Sequence, residues 1–224
     1  MTHAVSVDIV ADFVCPWCWL GKRYWEQALD AQKGIKIDSV WRPYQLDPTL
    51  PPEGRPYRDY MKAKFDGEKA DIWKQMRSHL EAAGPAVGIK FNFDQITHRP
   101  NTLKAHRVMR WAAGQGHGEA FAERTFQAFF EEGRDIGQTD ILAALAGEAG
   151  LDDAIISELL ATDRDAKDVW DEEVFYRKLG VSGVPTFIFN GQLAVSGAQE
   201  PRVLADAIRQ ATTLPPPEED GDDT

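Results

Sequence analysis

Strand-like stretches occur only toward the two ends of this 224-residue chain. Near the start, Val5, Val7 and Ile9 alternate with Ser6 and Asp8, and Ile35 and Ile37 lead into Val40 and Trp41. Near the end, VPTFIFN and QLAVSGA flank an Asn190-Gly191 step. Alternation with period two marks a strand whose faces meet different surroundings. From about residue 57 to 180, by contrast, the pattern is helical and no run is rich in β-branched residues. One sheet must therefore be assembled from segments far apart in the chain, with a long helical stretch inserted between them.

The first strand is expected over about residues 4 to 11. The following WLGKRYWEQALDAQKG carries Leu20, Tyr24, Ala28 and Ala31 at helical spacing, with Gly34 expected as its C-terminal cap. IKIDSVWRPYQL reads as a second strand parallel to the first, which makes a βαβ unit. DPTLPPEGRP, dense in Pro and Gly, marks a linker. Helices are predicted over 57–66, 68–83, 101–113, 117–132, 139–149, 152–161 and 166–179, most of them ending in Gly. Asn-Gly between two apolar runs predicts an antiparallel hairpin, and PRVLADAIRQAT, opening with Pro201, predicts a last helix.

The order is thus βαβ, helical insertion, ββα. With 43% hydrophobic residues, the chain can bury a substantial core without disulfide staples. We expect a discontinuous domain from residues 1–50 and 181–212, a helical insertion domain over 51–180, and a disordered acidic tail over 213–224. That tail, PPPEEDGDDT after Leu214, offers little to bury and its acids repel one another.

Both cysteines of the chain lie in DFVCPWCWL, where the first strand gives way to the first helix. Free N–H groups and the helix dipole at that position stabilise a thiolate, the reactive form, and a Cys-X-X-Cys spacing lowers the thiol pKa further. Cys15 is the expected nucleophile. Cys18, one turn later on the same face, is placed to attack a mixed disulfide formed at Cys15. Pro16 suits the first helical turn, where its missing N–H removes no bond, and Trp17 is expected to tune the thiol environment and partner contact.

Other readings of two cysteines have to be set beside this one. Structural zinc requires four Cys or His ligands, but there is no second Cys-X-X-Cys and His3, His79, His98, His106 and His117 are badly spaced for a site. No metal is expected. Two inert buried thiols, or one reactive thiol with a structural neighbour, are the remaining alternatives. The spacing Phe121, Thr125, Ala128, Phe129 reads as core packing rather than a cofactor box, and neither GxGxxG nor GxxxxGK[ST] occurs.

A formal net charge of −11 disfavours nonspecific nucleic-acid binding, which needs Lys and Arg against phosphates. The N-terminus lacks the basic and apolar regions of a signal peptide, and no apolar run is long enough to span a membrane. A soluble, cytoplasmic protein is expected, with no membrane partner. Before its strand, Pro185 reads either as a strand-opening residue or as a cis-proline, and the residues alone leave both open.

The series VCPWCWLGK, WRPYQLDP, NTLKAHR, FFEEGRDIG, GVPTFIFN and VSGAQ, spread over about residues 5 to 210, resembles the thioredoxin fold in its DsbA branch, and within it the cytoplasmic FrnE-type oxidoreductases. The resemblance implies a thioredoxin fold with a large all-helical, DsbA-like insertion and a thiol-disulfide oxidoreductase or isomerase acting on protein thiols and disulfides. It implies that Pro185 is cis and packs beside the cysteines, and that the Val184 backbone is offered to an extended substrate. It also implies that Asn101 and His106 border the active site and that Gly197 lies near the substrate groove. From the residues alone, His106 reads equally well as a packed core histidine and Gly197 as a turn glycine.

Glutathione-dependent hydroxychromene-carboxylate isomerases and kappa-class transferases resemble the same framework. They supply the alternative function, and they typically carry serine where this chain has Cys15. No resident cofactor is expected, although glutathione is a candidate reductant.

Overall fold

The computed structural model describes residues 4–67 and 69–214. β1 (Val5–Ala11) enters α1 (Pro16–Asp30), which leads to β2 (Ile37–Pro43), parallel to β1 from Val5–Ile37 to Ala11–Pro43. β3 (Arg55–Pro56) precedes α2 (Tyr57–Lys64) and α3 (Lys69–Ala83); β4 (His98–Arg99) precedes α4 (Leu103–Gly114). Then come α5 (Gly118–Phe130), α6 (Thr139–Glu148), α7 (Asp153–Leu160) and α8 (Ala166–Lys178). β5 (Thr186–Phe189), β6 (Leu193–Ser196) and α9 (Pro201–Ala211) close the chain.

The four-stranded sheet has the order β2-β1-β5-β6, and β5 is antiparallel to both neighbours. Of its central strands, β5 is buried along its whole length, whereas β1 buries Val5, Val7, Ile9 and Val10 and leaves Ser6 exposed and Asp8 half-buried. On one face α1 and α9 pack together, with Trp25 against Phe187 and Phe189. On the other, Val10 and Ile188 meet Tyr44 and Tyr176 of α8. The edge strand β6 alternates instead, with Ala194 and Ser196 exposed and Leu193 and Val195 half-buried.

The Asn190-Gly191 turn has φ of 49° and 67°, the paired left-handed conformations that this dipeptide tolerates. Asn190 also ties the hairpin down: its Oδ1 accepts from Ser6 N at 2.9 Å and its Nδ2 donates to Ala211 O at 3.0 Å. Within the inserted segment, Phe91, Phe93, Phe126 and Phe130 form an aromatic cluster that receives Trp19 of α1, stacked 6.0 Å from Phe130. One apolar core therefore runs from the sheet into the helices.

Three sequence expectations change. α1 stops at Asp30 rather than running to a cap at Gly34: Gln32 N bonds back to Leu29 O at 2.9 Å, and Gly34, at φ 92°, turns the chain into β2. The insertion is not wholly helical, since β3 and β4 pair over two residues, a ladder too short to leave a period in the sequence. Short 3₁₀ turns at Gly84–Val87 and Phe93–Gln95 also lie outside the predicted helices. The expected acidic tail falls, from residue 215 on, outside the described residues.

Candidate active site

β1 delivers Phe13 and Val14 into the core, and the chain then turns so that Cys15 becomes the N-cap of α1, with φ −99° and ψ 111°. The turn is closed by Cys15 N donating to Asp12 O at 3.0 Å and Cys18 N donating to Cys15 O at 3.0 Å. Pro16 occupies the first turn, where its ring favours the helical φ and no donor is lost. Both cysteines are free thiols; Cys15 retains 4% exposure and Cys18 1%.

The Cys18 thiol donates to the Cys15 sulfur, and this is the largest influence holding the Cys15 pKa below that of a free thiol. Burial opposes it, while the backbone N–H groups of Cys18 and Trp17 assist. Burial, with the neighbouring Cys15, pushes Cys18 well up. The pair thus divides into one thiol poised to ionise and one kept protonated, which is the division that nucleophile and resolving thiol require.

The Val184–Pro185 peptide is cis, and Cys15 Sγ donates to Val184 O at 3.5 Å. Gly197, at φ 86°, donates its N–H to Pro185 O at 2.7 Å, and Thr186 Oγ1 donates to Gly183 O at 2.8 Å, so the segment before β5 is held on both sides. α1 approaches it closely: a Cβ at Gly21 would fall 2.8 Å from Pro185 Cγ. Trp17, half-buried, lies against the His79 ring of α3 at 5.3 Å. Trp19 turns away into the core, donating its Nε1 to Glu123 at 3.2 Å.

Beneath the dithiol lies a polar cluster. The Asp12 side chain is 1% exposed; its Oδ2 accepts from Leu46 N at 2.8 Å, and its Oδ1 faces His106 Nε2 at 3.5 Å. That spacing is a charge contact rather than a formed hydrogen bond, and neither facing atom has another hydrogen-bond partner. Burial pushes the Asp12 carboxyl up, but His106, the Arg99 charge and the Leu46 N–H together outweigh it and hold the group below the usual carboxylate range. Arg99 Nη1 donates to Val14 O at 3.0 Å, and its guanidinium lies 4.8 Å from the Tyr60 ring centroid.

The structure thus brings together Cys15, Pro16, Cys18, Val184, Pro185 and Gly197, with Trp17 at the rim. His106 lies behind this group, on Asp12. Asn101 is occupied elsewhere: its Nδ2 donates to Leu50 O at 2.8 Å, and its Oδ1 accepts from Gln45 and Leu103 N, tying the linker to the start of α4. Asp12, Arg99 and Gly21 were not found by sequence reasoning. An acid directly after an apolar strand and three residues before Cys15, and a glycine inside a helical pattern, were the available signals. Among the described residues, no group of three or more His, Cys, Asp or Glu is placed to hold a metal ion.

The profile of the DSBA-like thioredoxin domain family matches residues 6–209. The chain belongs to that family. An uncharacterised Bacillus subtilis protein, YwbO, is 32% identical to this DSBA-like chain over 206 residues, covering 91% of it and 96% of the relative. The crystal structure of a probable DsbA oxidoreductase from Streptomyces coelicolor, 29% identical, superposes with a TM-score of 0.86 over 96% of this chain and 93% of that one. More distant is the cytosolic disulfide reductase DsbM from Pseudomonas aeruginosa with GSH, 18% identical with a TM-score of 0.63 over 93% of this chain and all of that one. At that identity the likeness shows the DsbA-like thioredoxin fold alone. Within this family fold, no helix among the described residues is long and apolar enough to cross a membrane.

Proposed function

We propose that this chain is a thiol-disulfide oxidoreductase that exchanges disulfides with protein substrates, with Cys15 as nucleophile and Cys18 as resolving thiol. The observation that carries the reading is Cys15 at the N-cap of α1, its sulfur accepting from the Cys18 thiol and lying 3.5 Å from Val184 O. Cys15 is thereby ready to ionise, at a place where the Val184 backbone can pair with an extended segment of any sequence. Membership of the DSBA-like family supports the same chemistry.

In the reducing direction, the Cys15 thiolate attacks a substrate disulfide, forms a Cys15–substrate disulfide and releases one substrate thiolate, which takes up a proton. Cys18 then loses its proton and attacks Cys15 Sγ, forming the Cys15–Cys18 disulfide and releasing the second substrate thiolate. Read backwards, the same steps oxidise a substrate. Glutathione is a suitable low-molecular-weight reductant for the intramolecular disulfide, and a cytoplasmic location suits that supply. The glutathione-dependent isomerase reading draws on the same fold, and the retained dithiol favours exchange over it.

The test is a pair of variants. Cys15→Ser abolishes exchange with a disulfide-bonded protein substrate, and Cys18→Ser accumulates Cys15-linked mixed disulfides, visible by mass spectrometry without reductant. Wild-type exchange rates in Cys15→Ser would refute the assignment.

A further inference from the structure

The two-residue β3–β4 ladder of the insertion carries a buried cation to the dithiol. Arg99 ends β4 opposite Arg55, and one step further on Tyr57 N donates to Thr97 O at 2.9 Å. The linker crosses the Arg99 backbone so closely that a Cβ at Gly54, which has φ 74°, would fall 2.4 Å from Arg99 O. Held in this way, Arg99 is 4% exposed, and its guanidinium lies 4.8 Å from the ring centroid of the buried Tyr60. Its Nε is buried without a hydrogen-bond partner. Burying a guanidinium with one nitrogen unmet costs free energy, so the contact that the group does make calls for a reason.

That contact is with a backbone carbonyl: Arg99 Nη1 donates to Val14 O at 3.0 Å. Val14 O and Cys15 N belong to one peptide plane. The other polar end of that plane is bonded as well, Cys15 N donating to Asp12 O at 3.0 Å. Both ends of the peptide that leads into Cys15 are therefore held, one by the turn and one by a cation from the insertion. On the helix side, Cys18 N donates to Cys15 O at 3.0 Å. With the backbone fixed before and after it, the direction in which the Cys15 side chain leaves the chain is fixed too. That direction brings Cys15 Sγ to 3.5 Å from Val184 O and within reach of the Cys18 thiol.

We propose that Arg99 is a positioning residue for Cys15: by donating to Val14 O it clamps the Val14–Cys15 peptide and holds the sulfur where Cys18 and the Val184 backbone meet it. The role rests on the exchange reading, since it matters only if Cys15 is the attacking thiol. Arg99 acts through the backbone, not on the sulfur. Releasing the peptide lets Cys15 Sγ drift from the Cys18 thiol, and the thiolate loses the hydrogen bond that favours it. The β3–β4 ladder and Gly54 then serve the dithiol from a distance, by setting where Arg99 enters the core.

The test is the pH profile of Cys15 alkylation by iodoacetamide in the reduced protein, with the adduct located by peptide mass spectrometry and each variant's denaturation midpoint measured beside it. Arg99→Met keeps a long buried side chain that cannot donate. It should move the alkylation midpoint up by about one pH unit, which slows the reaction roughly tenfold below that midpoint. Arg99→Lys, which keeps a charged donor, should recover most of the rate. Should Arg99→Met fold poorly, Arg99→Gln, neutral and too short to reach Val14 O, takes its place. Cys18 and Asp12 are the titratable groups that face Cys15, and the Arg99 charge also acts on Asp12, so the series is repeated in Asp12→Asn. The same shift is expected there, because the clamp does not pass through the carboxylate. An unchanged profile in Arg99→Met and Arg99→Gln, no recovery in Arg99→Lys, or loss of the shift in Asp12→Asn overturns the clamp. A residue that merely ties β4 down would lower the denaturation midpoint and leave the profile where it was. Absence of Cys15 alkylation in the wild-type protein removes the assignment of Cys15 as nucleophile, and the clamp with it.

Discussion

Gly21 of α1 lies so close to Pro185 that a β-carbon there would come 2.8 Å from Pro185 Cγ. The glycine is needed for space, not for its backbone angles, because it sits inside a regular helix. Gly21→Ala must therefore push α1 away from the segment that carries Val184, the carbonyl beside Cys15. Overpacking of this kind costs about 1–3 kcal/mol. We expect Gly21→Ala to lower the midpoint of chemical denaturation by a corresponding amount and to slow mixed-disulfide formation at Cys15. Unchanged values for both would show that the contact yields freely.

Cys15 reactivity should follow its depressed pKa. The largest contribution to that depression is the Cys18 thiol, which donates to the Cys15 sulfur. The rate of alkylation by iodoacetamide should therefore rise with a midpoint below the ordinary thiol value of about 8.5, and in Cys18→Ala that midpoint should move back up. The sign for stability follows: in the reduced protein, Cys15 contributes stability above its unfolded pKa that is lost as pH falls through the folded one. Cys18, raised by burial, does the opposite, contributing fully below its unfolded value and losing that contribution as pH rises through the folded one. A Cys15 midpoint unaffected by removal of Cys18 would contradict this account.

How much of this was readable beforehand depended on how local the cause was. Each α-helix of the insertion was visible to within about two residues, because its apolar repeat and, for most of them, a terminal glycine are properties of one short segment. Asn190 and Gly191 announced their turn for the same reason, their side chains permitting the φ of 49° and 67° that a tight hairpin needs. Cys15, Pro16 and Cys18 were likewise marked by spacing alone. Asp12 and His106 were different: one follows β1 and the other sits in α4, and only the packing of the insertion against the sheet turns them toward each other. Gly21 has the same character, its neighbour Pro185 arriving from the far end of the chain.

The helix that carries the dithiol is anchored by a buried lysine. Lys22, one turn beyond Cys18, has a side chain 3% exposed and meets Glu123 at 3.1 Å, Glu119 at 3.7 Å and Glu26 of its own helix. Lys22→Met removes this central cation, but Glu26 and Glu123 keep Arg23 and the carboxylates are 27–55% exposed, so the loss falls below that of a fully buried pair, at about 1 kcal/mol. Burial works against the Lys22 charge, and the carboxylates more than reverse this, so its pKa rises. Its contribution is then complete below the unfolded value of about 10.4 and is lost as pH rises through the folded one. Glu26 is depressed, since Lys22 and Arg23 outweigh its burial, and contributes until pH falls through its folded value. Denaturation of Lys22→Met should show the deficit throughout the neutral range and converge on wild type at strongly alkaline pH. A deficit that persists there would assign the loss to packing.

The reduction potential should respond to Asp12 in a direction that the geometry fixes. Its carboxylate opposes ionisation of both Cys15 and Cys18, so its charge disfavours the thiolate and with it the reduced protein. The oxidised form carries no thiolate for that charge to act upon, while the contacts of Asp12 with His106, Arg99 and Leu46 lie outside the dithiol. Neutralising the carboxylate as Asp12→Asn should therefore stabilise the reduced state selectively and move the couple toward the oxidising side. A shift of about 30 mV corresponds to about 1.4 kcal/mol for this two-electron step. Equilibration in glutathione buffers, with free thiols trapped and counted, measures it. A shift of that order to a less negative potential is expected, and a shift toward a more reducing one would mean that the charge acts on the thiols chiefly by holding the surrounding structure in place.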